Sequence, residues 1–127
     1  MNDEQYLQHS LDTWREFAAI MVRRCASLTE GDPLAELAAA CQRAGEDSGH
    51  LYRDGPELVN RLFTAYPEFA PTVPRELLWF LGGECLHYLT DEEIAGYQQV
   101  DEARDEAAAR GEVIDLAAAR AKLLKGQ

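Results

Sequence analysis

From Asp3 to about Thr29 the chain has neither glycine nor proline, and Leu7, Leu11, Trp14, Ala18, Met21, Cys25 and Leu28 recur at alternating steps of four and three. That spacing holds one stripe of a helix apolar over about three heptads. Phe17, Ile20 and Val22 widen the stripe beyond a coiled-coil seam. The pattern predicts a long first helix with two uses for its apolar stripe: the core of a monomeric bundle, or the seam of a homodimer.

Gly31-Asp32-Pro33 interrupts the chain and opens a second helix, with Asp32 as N-cap and Pro33 at the first helical position. Leu34, Leu37, Ala38 and Cys41 form its stripe, which ends near Ala44-Gly45. Glu46 to His50 reads as a loop, and Asp54-Gly55-Pro56 as the start of a third helix burying Leu58, Val59, Leu62, Phe63 and Tyr66. Pro67, Pro71 and Pro74 then impose an irregular segment anchored by Phe69. A fourth helix, apolar nearly all round through Leu77-Leu78-Trp79-Phe80-Leu81, is expected over about residues 74–89 as the central element. Gly82-Gly83 falls inside it, marking either a break or a close helix crossing, since each glycine costs about 1 kcal/mol relative to alanine in a helix interior.

Thr90-Asp91-Glu92-Glu93 has the form of a capping box, so a further helix begins at Asp91 and runs to Arg110, where Gly111 stops it. A last short helix is expected after Asp115 on Leu116, Leu123 and Leu124. No alternating β-branched pattern appears. The expected fold is all-α: one domain over residues 1–127, a compact bundle of five to six helices with a terminal helix docked on it.

Composition narrows the classes of function. The 127 residues are 46% apolar, enough for a core, and carry 23 acids against 12 Lys and Arg, a net charge of -11. Direct binding to a phosphate backbone is disfavoured, because that affinity comes from clustered cations. No apolar run approaches the ~18 residues of a membrane span, and the acidic Met1-Asn2-Asp3-Glu4 is unlike a signal peptide. Cys25, Cys41 and Cys85 are odd in number and lack CxxC spacing, which fits a cytoplasmic protein with reduced thiols.

The charge is unevenly placed. Residues 91–111 hold seven acids and two bases, while the last sixteen residues are net +1. Asp101 and Asp105, and Glu102 and Glu106, are like charges one helical turn apart, partly offset by Glu106 with Arg110. The apolar stripe of this helix is thin: Ile94, Tyr97, Val100, then mostly alanine. Two uses fit such a charge run: a solvated face that aids solubility, or a docking surface for a basic partner. The Arg120, Lys122 and Lys125 tail offers an alternative counter-charge within the molecule or across a dimer.

Candidate chemistry gathers at Glu84, Cys85 and His87. Glu84 and His87 have the Glu-x-x-His spacing of di-iron carboxylate bundles, but no second helical copy exists to complete a metal site. Without one, they make a polar pair on a half-buried helix, with Asp91 one turn beyond His87. Cys85 and His87 point to different faces of a regular helix, which argues against a nucleophile–base pair. P-loop, GxSxG, HExxH and Rossmann fingerprints are all missing, so no catalytic set, metal or cofactor is assigned.

The string Pro74-Arg75-Glu76-Leu77-Leu78-Trp79-Phe80-Leu81-Gly82-Gly83-Glu84-Cys85-Leu86-His87, followed by Asp91-Glu92-Glu93-Ile94, resembles a family of small uncharacterised bacterial helical proteins. The resemblance covers roughly residues 56–124; it implies a compact helical cytoplasmic protein and transfers no site. The reading is a non-enzymatic interaction or regulatory protein that meets a basic protein partner through Asp101, Glu102, Asp105 and Glu106. The alternative is a metal- or small-molecule-binding protein, or small enzyme, centred on Glu84, Cys85 and His87.

Overall fold

The computed structural model describes residues 3–29 and 31–109. Within them the chain forms α1 (Asp3–Arg24), α2 (Pro33–Ala44), α3 (Ser48–Ala65), a 3-10 turn (Pro67–Thr72), α4 (Arg75–Leu81), a second 3-10 turn (Gly83–Tyr88) and α5 (Asp91–Ala109). No strand occurs among the described residues, and the fold is all-α. The helix expected after Asp115, and the basic tail with it, lies outside them.

The heptad stripe of α1 is consumed inside its own chain. Leu11, Trp14, Ala18, Met21 and Cys25 are buried in one cluster with Leu37 and Cys41 of α2, Leu58 and Leu62 of α3, and Leu77 and Leu78 of α4. Trp14, 0% exposed, donates its indole N–H to the Cys41 carbonyl at 2.7 Å, tying α1 to α2. Arg15 caps the end of α2 from outside, donating to the carbonyls of Gly45 at 2.7 Å and Glu46 at 3.0 Å. The stripe stops one heptad position early: Leu28 is exposed because the helix ends at Arg24.

Asp32 caps α2 as expected, accepting from the Leu34 N–H at 2.9 Å with Pro33 behind it. The start of α3 differs from the expectation. The helix begins at Ser48, where Asp47 accepts the His50 N–H at 2.7 Å, and runs straight through Pro56. Residues 48–50 are therefore its first turn, not a loop. Proline removes one backbone bond, the one its N–H would give the Tyr52 carbonyl, and Tyr52 and Arg53 lie on an exposed turn. Burial of Leu51 in the core rewards the extra turn. Gly55, next to that proline, is where α4 comes close: a Cβ there would sit 3.0 Å from Leu81 Cδ2 and 3.1 Å from Leu51 Cδ1.

The three prolines after α3 shape a compact 3-10 turn, and Phe69 anchors it half-buried, with the Arg24 guanidinium 4.9 Å from its ring centre. The central helix is shorter than the expected 74–89. α4 stops at Leu81 because Gly82 takes φ 65, ψ -154, a region essentially closed to residues with a Cβ, and Gly83 follows at φ 53. The glycine pair is thus a break. The chain restarts as a 3-10 turn that drops Cys85 and Leu89 into the core.

Candidate functional site

α5 begins at a closed capping box. Thr90 N–H donates to Glu93 Oε1 at 3.0 Å, and Glu93 N–H donates to Thr90 Oγ1 at 3.1 Å. The same Glu93 carboxylate takes two bonds from Arg75 of α4, at 2.8 Å and 2.7 Å, while Arg75 also reaches the Tyr88 carbonyl at 2.7 Å. The Arg75 guanidinium, with help from the Thr90 N–H, holds the Glu93 carboxyl down at about 2, against an ordinary 4.5. One residue thereby caps a helix and fastens it to its neighbour.

A second fastening sits further along α5. Trp79 of α4 donates its indole N–H to Asp101 Oδ2 at 2.9 Å, and its ring stacks on Tyr97 with centroids 6.0 Å apart. Asp101 Oδ1 lies 3.8 Å from Arg104, the one base of α5 within the described residues. Arg104 is turned inward, 12% exposed, with its guanidinium 4.1 Å from the Tyr6 ring centre and 3.9 Å from Asp3. Two of its nitrogens, Nε and Nη1, are sealed from solvent with no hydrogen-bond partner among the described residues, so the Tyr6 ring face carries part of that charge. Burial, and then the Asp101 charge, push the Tyr6 phenol up to about 12 and keep it neutral.

The outer face of α5 is what remains. Glu102, Asp105 and Glu106 are exposed and form no ion pair with any described residue; Asp91 and Glu92 extend the same condition to the first turn. Asp101 stands apart from the other three acids of the sequence-derived set, because its carboxylate is engaged within the chain. Among the described residues the helix therefore separates its charges: Arg104, Glu93 and Asp101 meet oppositely charged groups within the fold, while five acids face water with no ion pair to a described residue. Its proposed partner Arg110 lies outside the described residues.

Glu84, Cys85 and His87 are not brought together. They sit on the 3-10 turn after the glycine break, where Cys85 points into the core and Glu84 and His87 are exposed. In a 3-10 helix residues three apart eclipse, so Glu84 and His87 share one solvent edge, yet no hydrogen bond joins them. Among the described residues no three His, Cys, Asp or Glu side chains stand close enough to share a metal ion. Burial, reinforced by Glu84, pushes the Cys85 thiol up, which opposes a reactive thiolate.

Sequence patterning singled out the acids of α5 but not the residues that sort them. Arg75, Trp79 and Tyr6 act through tertiary contacts for which the local sequence has no signal. Arg104 had one: it follows Tyr97 and Val100 on the inward stripe. Among the described residues no helix is long and apolar enough to cross a membrane. A family model described as PA2817-like matches residues 3–127. No curated protein and no solved structure matches the chain.

Proposed function

The chain belongs to the PA2817-like family, and for it we propose a non-enzymatic role in which the outer face of α5 docks onto a basic protein surface. The observation that carries this reading is the sorting of charge on α5. Arg104 is spent inside the fold, and Glu102, Asp105 and Glu106, within one helical turn of each other, form no ion pair with any described residue. The Asp101–Asp105 and Glu102–Glu106 spacings each cost a few tenths of a kcal/mol in the free protein. A cationic partner relieves that repulsion on binding, and charge complementarity speeds its encounter. The reading includes a cytoplasmic setting, supported by three buried cysteines that are all unpaired.

The test compares full-length protein with a Glu102→Gln, Asp105→Asn, Glu106→Gln variant as immobilised baits in extract of the native host. The expected result is a partner with a basic surface, retained by the parent chain, released as salt rises from about 0.05 to about 0.5 M, and lost by the variant. Identical partners for both baits, or retention indifferent to salt, overturn the reading. Asp101 is left unchanged in this variant because its carboxylate holds Trp79 and Arg104.

A further inference from the structure

A cleft of about 330 Å³ opens between the first turn of α2 and the last turns of α3 and takes no lining residue from α5. Its volume is at the small end of ligand sites, room for roughly ten non-hydrogen atoms. Leu37, almost fully buried, forms the base, with Pro33 and Tyr66 beside it. Asn60, Arg61 and Thr64 are exposed at the rim.

The chemistry of this lining is unusual for the chain. In a protein with 23 acids, none lines the cleft, and its one charged group is a cation. Arg61 makes no hydrogen bond or ion pair with any described residue, although Glu57 stands one helical turn before it. The Asn60 Oδ1 accepts the Tyr88 hydroxyl at 2.5 Å, which leaves the amide N–H2 as the group that side chain can offer a ligand. Thr64 adds a hydroxyl. Pro33 has no N–H, so charge recognition falls to Arg61 rather than to the start of α2. The polar groups are thus weighted towards donors, grouped on one side of an apolar base.

We propose that this cleft binds a small organic monoanion, an aryl or short aliphatic body bearing a single carboxylate, with Arg61 as the residue that reads the charge. A planar guanidinium meets a carboxylate through two parallel N–H bonds, and a single cation suits a single negative charge. The apolar body covers Leu37 and Tyr66, which a bare inorganic anion leaves wet. With one ion pair at an exposed rim and so few ligand atoms, affinity falls at a Kd of about 0.1 to 1 mM.

The test is a titration of the full-length protein with benzoate, followed by two-dimensional amide NMR. Saturable shifts centred on the end of α3 and the start of α2 are expected. Benzamide, which keeps the body without the charge, and inorganic phosphate, which keeps charge without the body, are each expected to bind at least about tenfold more weakly. Arg61→Gln is expected to weaken benzoate about tenfold, with Arg61→Lys between it and the parent. Ala65→Leu, which narrows the cleft from its rim, provides a second variant that leaves Arg61 in place and is expected to weaken benzoate as well. The same spectra report whether each variant is folded. Absence of saturation, shifts centred elsewhere, benzamide or phosphate matching benzoate, or an unaltered Kd in folded Arg61→Gln each overturn the proposal. The α5 triple variant is expected to bind benzoate normally, so this site and the docking surface stand or fall separately.

Discussion

Trp79 of α4 donates its indole N–H to the Asp101 carboxylate of α5 across 2.9 Å, and this bond divides the acids of α5 into two kinds. Asp101 is a structural acid that orients the helix; Glu102, Asp105 and Glu106 are exposed and unpaired within the described chain. Asp101→Ala is therefore expected to lower unfolding free energy by about 1 to 2 kcal/mol, since it strands an indole donor and removes an acid facing Arg104. Glu102→Gln is expected to stay within about 0.5 kcal/mol of the parent. Urea unfolding followed by tryptophan fluorescence measures both. Equal effects from the two substitutions would refute the division.

Glu93 makes a pH prediction with a definite sign. Its folded value of about 2 lies below its ordinary 4.5, so its contribution is fully present above the unfolded value and disappears as pH falls through the folded one. Glu93→Gln is expected to be less stable than the parent by about 1 kcal/mol near neutrality, a figure reduced for the exposure of Arg75. That gap should narrow between about pH 4.5 and about pH 2. Denaturant midpoints of both proteins across that range test it, and a gap constant with pH would show that the Arg75 pair does not set it.

The break at Gly82 carries its own cost when filled. Its φ 65, ψ -154 geometry excludes side chains, so Gly82→Ala is expected to lose about 1 to 3 kcal/mol. Gly83 also has positive φ, 53, at the first central position of the turn closed by the Cys85 N–H to Gly82 carbonyl bond, so Gly83→Ala is expected to lose about 1 to 3 kcal/mol as well. Neither position is crowded, the nearest atom to a Cβ at Gly82 being the Trp79 carbonyl at 3.9 Å. Backbone conformation alone produces the loss. Calorimetry of the two variants measures both losses, and an unchanged melting temperature in either would be inconsistent with a backbone origin.

All three thiols should be inert in the folded protein. Burial pushes Cys41 up to about 12 and raises Cys25 and Cys85 as well. Alkylation at about pH 8 is expected to follow local opening rather than thiolate chemistry. Cys25, at the end of α1, should react first and Cys41 last; all three should react at once in urea. Rapid modification of Cys85 in the native state would contradict its burial.

Much of the architecture could be read along the chain because it depends on neighbours three or four residues apart. The α1 stripe from Leu7 to Cys25, the Asp32 cap with Pro33, the Thr90–Glu93 box and the helical start at Asp91 all follow from local spacing and capping chemistry. Pro56 and Gly82 mark where that reading needed more. Proline is a helix breaker in isolation, yet α3 passes through it because Leu51 gains a place in the core. Gly82 could break a helix or admit a close crossing, and the observed φ settles it as a break.

The acids at 102, 105 and 106, and the excess of negative charge around them, were fully specified by residue identity and order. Which acids are spent and which are free was not. That depends on Arg75, Trp79 and Tyr6, held against α5 from α4 and α1 across separations of eighteen to ninety-eight residues. Glu84 and His87 show the same limit from the other side: their three-residue spacing was legible, but its direction was decided by the glycine break that turned an α-helix into a 3-10 edge. Periodicity and capping are short-range effects and survive in the one-dimensional string. Burial and ion pairing are set by whichever distant side chain occupies the space opposite, and only the folded chain assigns that partner.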